Sequence, residues 1–337
     1  MGIVELFVQS ENFQRLYNCS FYDVDSIPVE KRQDRVYAVL LASLGIIFEL
    51  MYIPCLYALS RKQVLAASFC YKLMLLMGIF DFVLLAFTSL VSAYFSWTGS
   101  MYCSHPTLMH IAGAFMHGFW LGYSQTSLIL ALNRCLSFSQ YKWIFTEWRQ
   151  YVWIGAPIAL TVGVVLFGTS GCYNSIYKGW FFDVHKSYFN DYESLYSSRV
   201  QFYNNIVFIA FLPTIYFIFF VHHFLLARKR SKGMPPKAVG LFVQTLVING
   251  TITAAVLGYT LMQYFQVPMQ LVAASHITWI LVQSAPPFIY LTLNQTVRQI
   301  LFTDKKDVSS VTNNVTYRRV QQIIDKTVSD VTNTIYV

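Results

Sequence analysis

The sequence predicts an all-α polytopic membrane protein, a bundle of seven transmembrane helices with the N-terminus outside the cell and the C-terminus inside. The 337-residue chain is 55% hydrophobic and only 12% charged, whereas about a quarter of the residues of a soluble domain are charged. The charges fall into short clusters separated by long uncharged stretches. Lys and Arg also concentrate on alternate loops, a bias that marks the cytoplasmic side of a membrane protein.

Windows poor in charge define the predicted spans. A bilayer core needs about 20 apolar helical residues, and a charge at mid-membrane costs several kcal/mol. Seven windows meet this need: Val36–Leu59, Phe69–Phe95, Thr107–Leu132, Tyr151–Ser170, Gln201–Ala227, Ala238–Phe265 and Gln270–Leu293. Residues 1–35 then form an extracellular tail, residues 36–293 the transmembrane domain and residues 294–337 a cytoplasmic tail.

The distribution of basic residues fixes the predicted orientation. With seven spans, the N-terminal tail and the loops after spans two, four and six carry seven Lys or Arg residues, while the opposite side carries sixteen. The side with more basic residues stays in the cytosol. The basic loop Arg228–Lys237 could therefore dock either an acidic partner or the headgroups of membrane lipids.

Cysteines and a glycan acceptor agree with this orientation. Cys103 and Cys172 both fall on the outer side, where an oxidising medium permits a disulfide between them; the alternative is that both are small buried hydrophobes. Cys19 is a further outer cysteine. Asn18-Cys19-Ser20 is a glycosylation acceptor pattern on the outer tail. Similar patterns at Asn249, Asn294 and Asn314 fall in the membrane or the cytosol, so Asn18 is the predicted site.

Enzymatic, metal and nucleic-acid functions find no support in the sequence. The seven histidines include no His-Glu-x-x-His zinc motif, and neither a nucleophile elbow nor a phosphate loop occurs. No basic stripe lies on a soluble face, so nucleic acid is not an expected partner. We therefore predict no enzyme activity, no metal and no cofactor.

Two acidic residues, Glu49 and Asp81, lie inside predicted spans. Intramembrane acids are expensive and usually functional, so they are candidates for a polar or ion site. A transporter would use such groups for ion coupling but would usually add internal repeats and broken helices. A channel would repeat polar residues along a pore face. A ligand-gated channel or small-molecule transporter stays the alternative function.

Three patterns instead indicate a signalling switch. Leu130–Cys135 ends span three at the cytoplasmic face and includes Asn133 and Arg134. Ser284–Leu291 contains Pro287 and Tyr290 and predicts a kink in span seven, because proline removes a helical hydrogen bond. Pro213 predicts a kink in span five.

At these residues the chain resembles the rhodopsin-type G-protein-coupled receptors, and more narrowly the nematode serpentine chemoreceptors of class T. The matching segments are Tyr17–Ser20, Ile47–Cys55, Cys70–Met74 with Gly78–Asp81, Leu130–Cys135, Gly179–Asp183 and Pro287–Arg298. The resemblance implies that Arg134 meets a heterotrimeric G protein, that Asp81 matches an acid that often holds sodium, and that Pro287 and Tyr290 belong to the switch in span seven. Asn133 replaces the acid that usually restrains the arginine, so the resting contact of Arg134 must differ.

The predicted function is that of a chemosensory receptor in the plasma membrane of a sensory cell or cilium. An unidentified small molecule would enter from outside, between spans three, five, six and seven. Aromatic residues on those spans are the candidate pocket, with packing as the alternative role: Trp120, Tyr123, Tyr203, Tyr259 and Trp279.

Overall fold

The computed structural model of the chain describes residues 1–20, 23–136, 140–186, 196–229, 249–262, 265 and 267–302. The helices, in chain order, are α1 (Ile3–Val8), α2 (Glu11–Leu16), α3 (Val29–Arg32), α4 (Arg35–Leu59), α5 (Lys62–Ala67), α6 (Phe69–Leu85), α7 (Ser92–Thr98), α8 (Pro106–Leu136), α9 (Arg149–Phe167), α10 (Arg199–Lys229), α11 (249–262), α12 (Met269–Leu293) and α13 (Gln295–Phe302). A single hairpin of β1 (Cys172–Asn174) and β2 (Gly179–Phe181) joins α9 to the chain before α10.

A helix occupies each of the seven predicted windows. α4 starts one residue before the predicted span, and α6, a π-helical segment at Ala86–Val91 and α7 together form one long helix from Phe69 to Thr98. In the sixth window, residues 249–262 are helical and residues 238–248 lie outside the described residues. The predicted loop beyond Lys229 and the cytoplasmic tail from residue 303 also lie outside them.

Four of these helices are long and apolar enough to cross a membrane: Arg35–Leu59, Phe69–Thr98, Arg149–Phe167 and Arg199–Val221. Their outer faces carry large apolar side chains that the bundle does not cover. Val36 on α4 is 84% exposed and Phe217 on α10 is 63% exposed. So much uncovered apolar surface requires an apolar solvent, and lipid supplies it. The chain is therefore a multi-pass membrane protein, while crossing by α8, α11 and α12 stays a prediction.

α8 is the central helix, and it packs against α6, α9 and α10. Close approach to α9 depends on glycines along one side of α8. A Cβ atom at Gly118 would lie 2.8 Å from the Thr161 carbonyl oxygen, and one at Gly113 would lie 1.5 Å from the Gly171 carbonyl oxygen. Only glycine fits at these contacts, and the contacts place the start of the hairpin directly beside α8.

Side-chain caps fix where the first two long helices begin. The Asp34 carboxylate accepts a hydrogen bond of 2.9 Å from the Tyr37 amide, and the Ser68 hydroxyl accepts one of 3.2 Å from the Cys70 amide. Such caps satisfy amide groups that have no partner inside the helix.

Residues 1–20 of the predicted tail are folded against the bundle. The Phe13 and Tyr17 rings of this segment stack 4.9 Å apart, and both pack edge-on against His110 near the start of α8. The Leu16 carbonyl accepts hydrogen bonds of 2.9 Å from His185 and Tyr196. This segment therefore packs on the chain between α9 and α10 as well as on α8.

Candidate ligand-binding site

The hairpin closes the end of the bundle that carries the N-terminal segment. Its strands are antiparallel, with Cys172 opposite Phe181 and Tyr173 opposite Trp180. The Trp180 indole donates a 2.9 Å hydrogen bond to the Ser92 hydroxyl, and the Ser175 hydroxyl donates one of 2.6 Å to the Ser100 carbonyl. These bonds fasten the hairpin to the last part of the helix that runs from Phe69 to Thr98 and to the turn that follows it.

The turn of the hairpin is held by α4 and α12. The Lys178 ammonium forms an ion pair with the Asp34 carboxylate, and it also lies 5.4 Å from the centre of the Tyr37 ring. The Tyr37 hydroxyl lies 3.4 Å from the Lys178 carbonyl and 3.2 Å from Nδ1 of His276, and it can donate a hydrogen bond to either of them. A charge pair and hydrogen bonds therefore join three separate parts of the chain at this point.

Burial raises the pKa of Asp34, but the hydrogen bonds from Lys178 and the Tyr37 amide lower it more, so the pKa lies below its ordinary value of 3.8. The carboxylate is thus ionised at neutral pH.

A cavity of about 60 Å³ lies beneath the hairpin. The hairpin forms its upper wall and five other segments form the rest. The lining residues are Thr88, Met116, His117, Trp120, Gly171, Trp180, Phe181, Phe182, Gln201, Tyr259 and Trp279. Most of this lining is aromatic, which is typical of small-molecule sites.

The structure brings together three of the five predicted pocket residues. Trp120, Tyr259 and Trp279 all line the cavity, and their rings are in contact: Trp279 lies 4.5 Å from Trp120 and 5.1 Å from Tyr259, centre to centre. Tyr123 is buried below the cavity and stacks on Trp120, so it supports the wall without forming part of it. Tyr203 was wrongly predicted, since its side chain is 65% exposed on the outer face of α10.

Several lining residues were not among the predicted ones. His117 lies one turn before Trp120 on α8, and Gln201 begins the predicted fifth span, so both were visible as polar residues within predicted spans. Trp180 and Phe182 belong to the motif Gly179–Asp183, whose pairing into a hairpin was not predicted.

Three lining residues carry a buried polar atom that has no hydrogen-bond partner among the described residues. These atoms are His117 Nε2, Gln201 Oε1 and Trp279 Nε1. The other ring nitrogen of His117, Nδ1, lies 2.6 Å from the Thr169 carbonyl and must donate to it. Nε2 of a neutral His117 is consequently a hydrogen-bond acceptor. These three atoms comprise two acceptors and one donor, and the lining also contains the Tyr259 hydroxyl and the Gln201 amide nitrogen.

The predicted disulfide between Cys103 and Cys172 was wrong. The structure pairs Cys103 with Cys19, with their Cα atoms 5.6 Å apart, and leaves Cys172 as a buried free thiol. The reason lies in the folded N-terminal segment. Tyr17 packs on Tyr102 with ring centres 5.7 Å apart, which brings Cys19 beside Cys103. Cys172 instead packs with the hydrophobic cluster that includes Tyr173 and Trp180.

Arg134 lies near the end of α8 farther from the N-terminal segment, where the sequence predicts the switch. Its guanidinium is close enough to the Tyr216 hydroxyl on α10 and the Cys70 sulfur on α6 to interact electrostatically with both. Tyr290 on α12 is also close enough to interact with it in this way. Asn133 stands where the restraining acid is expected, and a tyrosine and a cysteine lie beside the arginine instead. Asn133 itself is buried.

Pro286 and Pro287 lie inside α12, as predicted. Because Pro287 has no amide hydrogen, the Gln283 carbonyl four residues earlier loses its helical donor. The Tyr52 hydroxyl on α4 donates a 2.7 Å hydrogen bond to this carbonyl, and the Cys55 thiol lies 3.6 Å from the Pro287 carbonyl. The carbonyl freed by the proline therefore ties α12 to α4.

The two intramembrane acids lie in different surroundings. Asp81 is fully buried, near the hydroxyls of Tyr52, Tyr123 and Tyr290. Glu49 is half-buried on α4, and neither of its carboxylate oxygens has a hydrogen-bond partner among the described residues. The two residues do not form a common site, and binding of an ion at either stays a prediction. Among the described residues no group of three His, Cys, Asp or Glu side chains is arranged to hold a metal.

Comparison with known proteins shows that the chain is similar to a family of receptors. The family described as "Serpentine type 7TM GPCR chemoreceptor Srt" matches residues 4–310. The chain is also 21% identical over 267 residues to serpentine receptor class T-55 of Caenorhabditis elegans, covering 76% of this chain and 71% of that protein. Since the family match extends over nearly the whole chain, the resemblance seen in the sequence is confirmed. The chain belongs to the Srt family of serpentine seven-transmembrane chemoreceptors.

Proposed function

We propose that this protein is a chemosensory receptor that detects an external small molecule and activates a heterotrimeric G protein. Membership in the Srt family carries the proposal. In keeping with it, the described residues enclose an aromatic cavity at one end of α8 and hold Arg134 at the other. The same helix therefore connects the candidate ligand site to the candidate G-protein site.

The proposed arrangement in the membrane has seven spans, an outer N-terminus and an inner C-terminus. The hairpin, the cavity and the disulfide then face the outside, and Arg134 faces the cytosol. A glycan on Asn18 and location in the plasma membrane of a sensory cell or cilium complete the proposal.

Ligand binding would act by favouring one of two packings of the bundle, because a ligand shifts an equilibrium only through different contacts in the two states. Trp279 in the cavity and Pro287 two turns further along lie on the same helix, α12. Movement of Trp279 would alter the contact between α12 and Tyr52 on α4. It would also alter the position of Tyr290 beside Arg134.

Replacement of Arg134 tests the coupling. In Arg134→Ala we expect G-protein activation by a panel of small neutral, cationic and anionic odorants to fall at least about tenfold, since the side chain that joins α8 to α6 and α10 is lost. Activation is measured as nucleotide exchange on co-expressed G proteins, and surface biotinylation measures the amount of receptor. Arg61→Ala is the matched control, because the Arg61 side chain hydrogen-bonds and stacks on the exposed Tyr57 of the same helix region.

Undiminished nucleotide exchange in Arg134→Ala would contradict the proposal. Odorant-evoked currents in excised patches that lack nucleotide and G protein would instead support the alternative, a ligand-gated channel, and odorant uptake into vesicles would support a transporter.

A further inference from the structure

The cavity has no formal charge in its lining. None of the eleven lining residues is Asp, Glu, Lys or Arg. The nearby ions Lys178 and Asp34 already neutralise one another at the turn of the hairpin. A charged ligand would lose its water and gain no counter-ion, which costs several kcal/mol. The lining therefore selects a neutral molecule.

The polar atoms of the lining divide into occupied and unoccupied groups. The Trp120 indole donates to Asn205 at 3.1 Å, the Trp180 indole donates to Ser92 at 2.9 Å, and the Thr88 hydroxyl donates to the Leu84 carbonyl at 2.9 Å. His117 Nε2, Gln201 Oε1 and Trp279 Nε1 have no partner among the described residues. A buried polar group without a partner costs about 1–3 kcal/mol, so a ligand that supplies the partners recovers that energy.

We infer that the cavity takes a compact neutral alcohol. A hydroxyl group both donates and accepts, so one group can donate to His117 Nε2 or Gln201 Oε1 and accept from Trp279 Nε1–H. A ketone or ester can only accept, and leaves both acceptors of the lining unsatisfied. The inference rests on the proposed function in that the cavity is taken to be the ligand site of the receptor.

The volume of the cavity limits the size of the alcohol. A cavity of roughly 150 Å³ holds benzene, whereas this one measures about 60 Å³. With the hairpin in its present position, the carbon skeleton must be smaller than a benzene ring. The aromatic side chains of Trp120, Phe182 and Trp279 would cover that skeleton.

Four molecules of four non-hydrogen atoms each test the inference: 2-propanol, acetone, isopropylammonium and acetate. Binding is measured by saturation-transfer NMR on the purified receptor in lipid nanodiscs, with empty nanodiscs as the reference for partition into lipid. We expect 2-propanol to bind about five- to tenfold more tightly than acetone, the value of one hydrogen bond. We expect no saturable binding of the two ions. Equal binding of 2-propanol and acetone, stronger binding of either ion, or no binding of 2-propanol would overturn the inference.

Variants of the lining separate the contribution of its hydrogen bonds from that of its shape. Trp279→Phe removes the free indole donor and should weaken the binding of both 2-propanol and acetone about tenfold. His117→Asn keeps a donor near Thr169 but removes Nε2, and should reduce the preference for 2-propanol over acetone. Trp97→Phe is the control, since it makes the same change at an exposed side chain outside the lining. An equal loss in Trp97→Phe and Trp279→Phe would contradict the role of the free donor.

The binding measurement contains no G protein, so the two proposals can fail separately. Binding of 2-propanol with this pattern, but no nucleotide exchange with any odorant, would leave the inference standing and overturn the proposed function. Activation of G protein by charged or aprotic odorants, with no binding of 2-propanol, would do the reverse.

Discussion

At the contact between α4 and α12, one hydrogen bond is structurally important because water cannot reach the contact to replace it. The Gln283 carbonyl has no helical donor because Pro287 follows four residues later, and no water reaches a buried helix contact to replace it. The Tyr52 hydroxyl is fully buried and supplies the missing hydrogen at 2.7 Å. The proline in α12 and the tyrosine in α4 therefore form one unit, although 235 positions separate them in the sequence.

We predict that Tyr52→Phe destabilises the receptor by about 1 kcal/mol, the usual scale of a hydrogen bond between membrane helices. The loss should be smaller in the Pro287→Ala background, because alanine returns a helical donor to the Gln283 carbonyl. Thermal unfolding of the purified receptor in detergent measures both effects. Tyr57→Phe is the matched control, since Tyr57 is exposed on the same helix. Equal losses with and without Pro287 would show that Tyr52 acts through another contact.

Cys19 and Cys103 illustrate how one aromatic contact decides the pairing of a cysteine two positions away. Tyr17 packs on Tyr102. Cys19 and Cys103, which closely follow these tyrosines in the sequence, then lie with their Cα atoms 5.6 Å apart. We predict that Cys19→Ala and Cys103→Ala each lower stability by about 2–4 kcal/mol, the typical value of a disulfide, and that the double variant loses no more than either single one. Cys172→Ala, which removes a free buried thiol, is the control.

Peptide mapping without reduction measures the pairing directly, and thermal unfolding measures the loss. A peptide that joins Cys103 to Cys172, or an additive loss in the double variant of Cys19 and Cys103, would refute the pairing seen in the structure.

At the scale of elements, the hairpin depends on its anchor to the start of α4. Asp34 has two roles there: it caps α4 through the Tyr37 amide, and it pairs with Lys178 at the turn between β1 and β2. Asn caps a helix about as well as Asp but has no charge, so Asp34→Asn isolates the ion pair. Asp34→Ala removes both interactions.

We predict that Asp34→Asn lowers the stability of the receptor at neutral pH by about 1 kcal/mol or less, the scale of an ion pair that water still reaches. Asp34→Ala should lose about 0.5–2 kcal/mol more because the cap is also lost. The pKa of Asp34 is lowered below 3.8 in the folded protein. Its charge therefore stabilises the fold above that pH and ceases to do so as the pH falls through the lowered pKa.

The stability difference between the native chain and Asp34→Asn should accordingly disappear below the lowered pKa. Unfolding temperatures across an acid series measure it. A difference that persists after Asp34 is protonated would show that the carboxylate contributes through its shape or its cap, and not through its charge.

The long helices could be predicted from sequence because the bilayer acts on each one locally. A window without charges is visible in the sequence itself, so α4 and α12 were placed to within one residue at their starts. The hairpin and the N-terminal helices could not be predicted in this way. They form where the chain leaves the membrane, and contacts such as Tyr17 with Tyr102 that hold them join distant parts of the sequence.

Only part of the candidate site could be predicted from the sequence, for a related reason. Aromatic residues on the correct helices could be recognised, but the rotation of each helix decides which of them face inward. Trp120 and Trp279 face the cavity, while Tyr203 faces outward on α10. The apolar windows carried no information about this rotation, because residues that face lipid and residues that face the core are equally apolar. Polar residues such as Gln201 were the better guide to the inner face.

At the scale of the whole molecule, the two ends of the bundle have different chemistry. The outer end, in the proposed orientation, has the folded N-terminal segment, a disulfide and a hairpin lid, and it encloses the cavity. The inner end presents Arg134 between α6 and α10. An oxidising exterior preserves the disulfide, so the position of the Cys19–Cys103 bond supports the same orientation as the excess of Lys and Arg on the opposite side.

The glycan acceptor at Asn18 makes this orientation testable on the intact protein. The enzymes that attach N-linked glycans act on the lumenal side, which becomes the outside of the cell. Ser20 of the acceptor pattern is exposed, while Asn18 is half-buried and accepts a 2.9 Å hydrogen bond from the Ser20 amide. Cys19, the middle residue of the pattern, is bonded to Cys103 in the folded protein. We therefore expect glycosylation before the N-terminal segment has folded, and only in part of the molecules.

We predict that a glycosidase increases the electrophoretic mobility of the receptor made in animal cells and that Asn18→Gln abolishes this change. Asn314→Gln, in an acceptor pattern predicted to stay in the cytosol, is the matched control and should leave the change intact. The enzyme that attaches the glycan reaches only lumenal sites. A glycan lost in Asn314→Gln instead of Asn18→Gln would therefore place the C-terminus outside. The excess of basic residues would then lie on the outer side, and neither the cavity nor Arg134 would face the partner proposed for it.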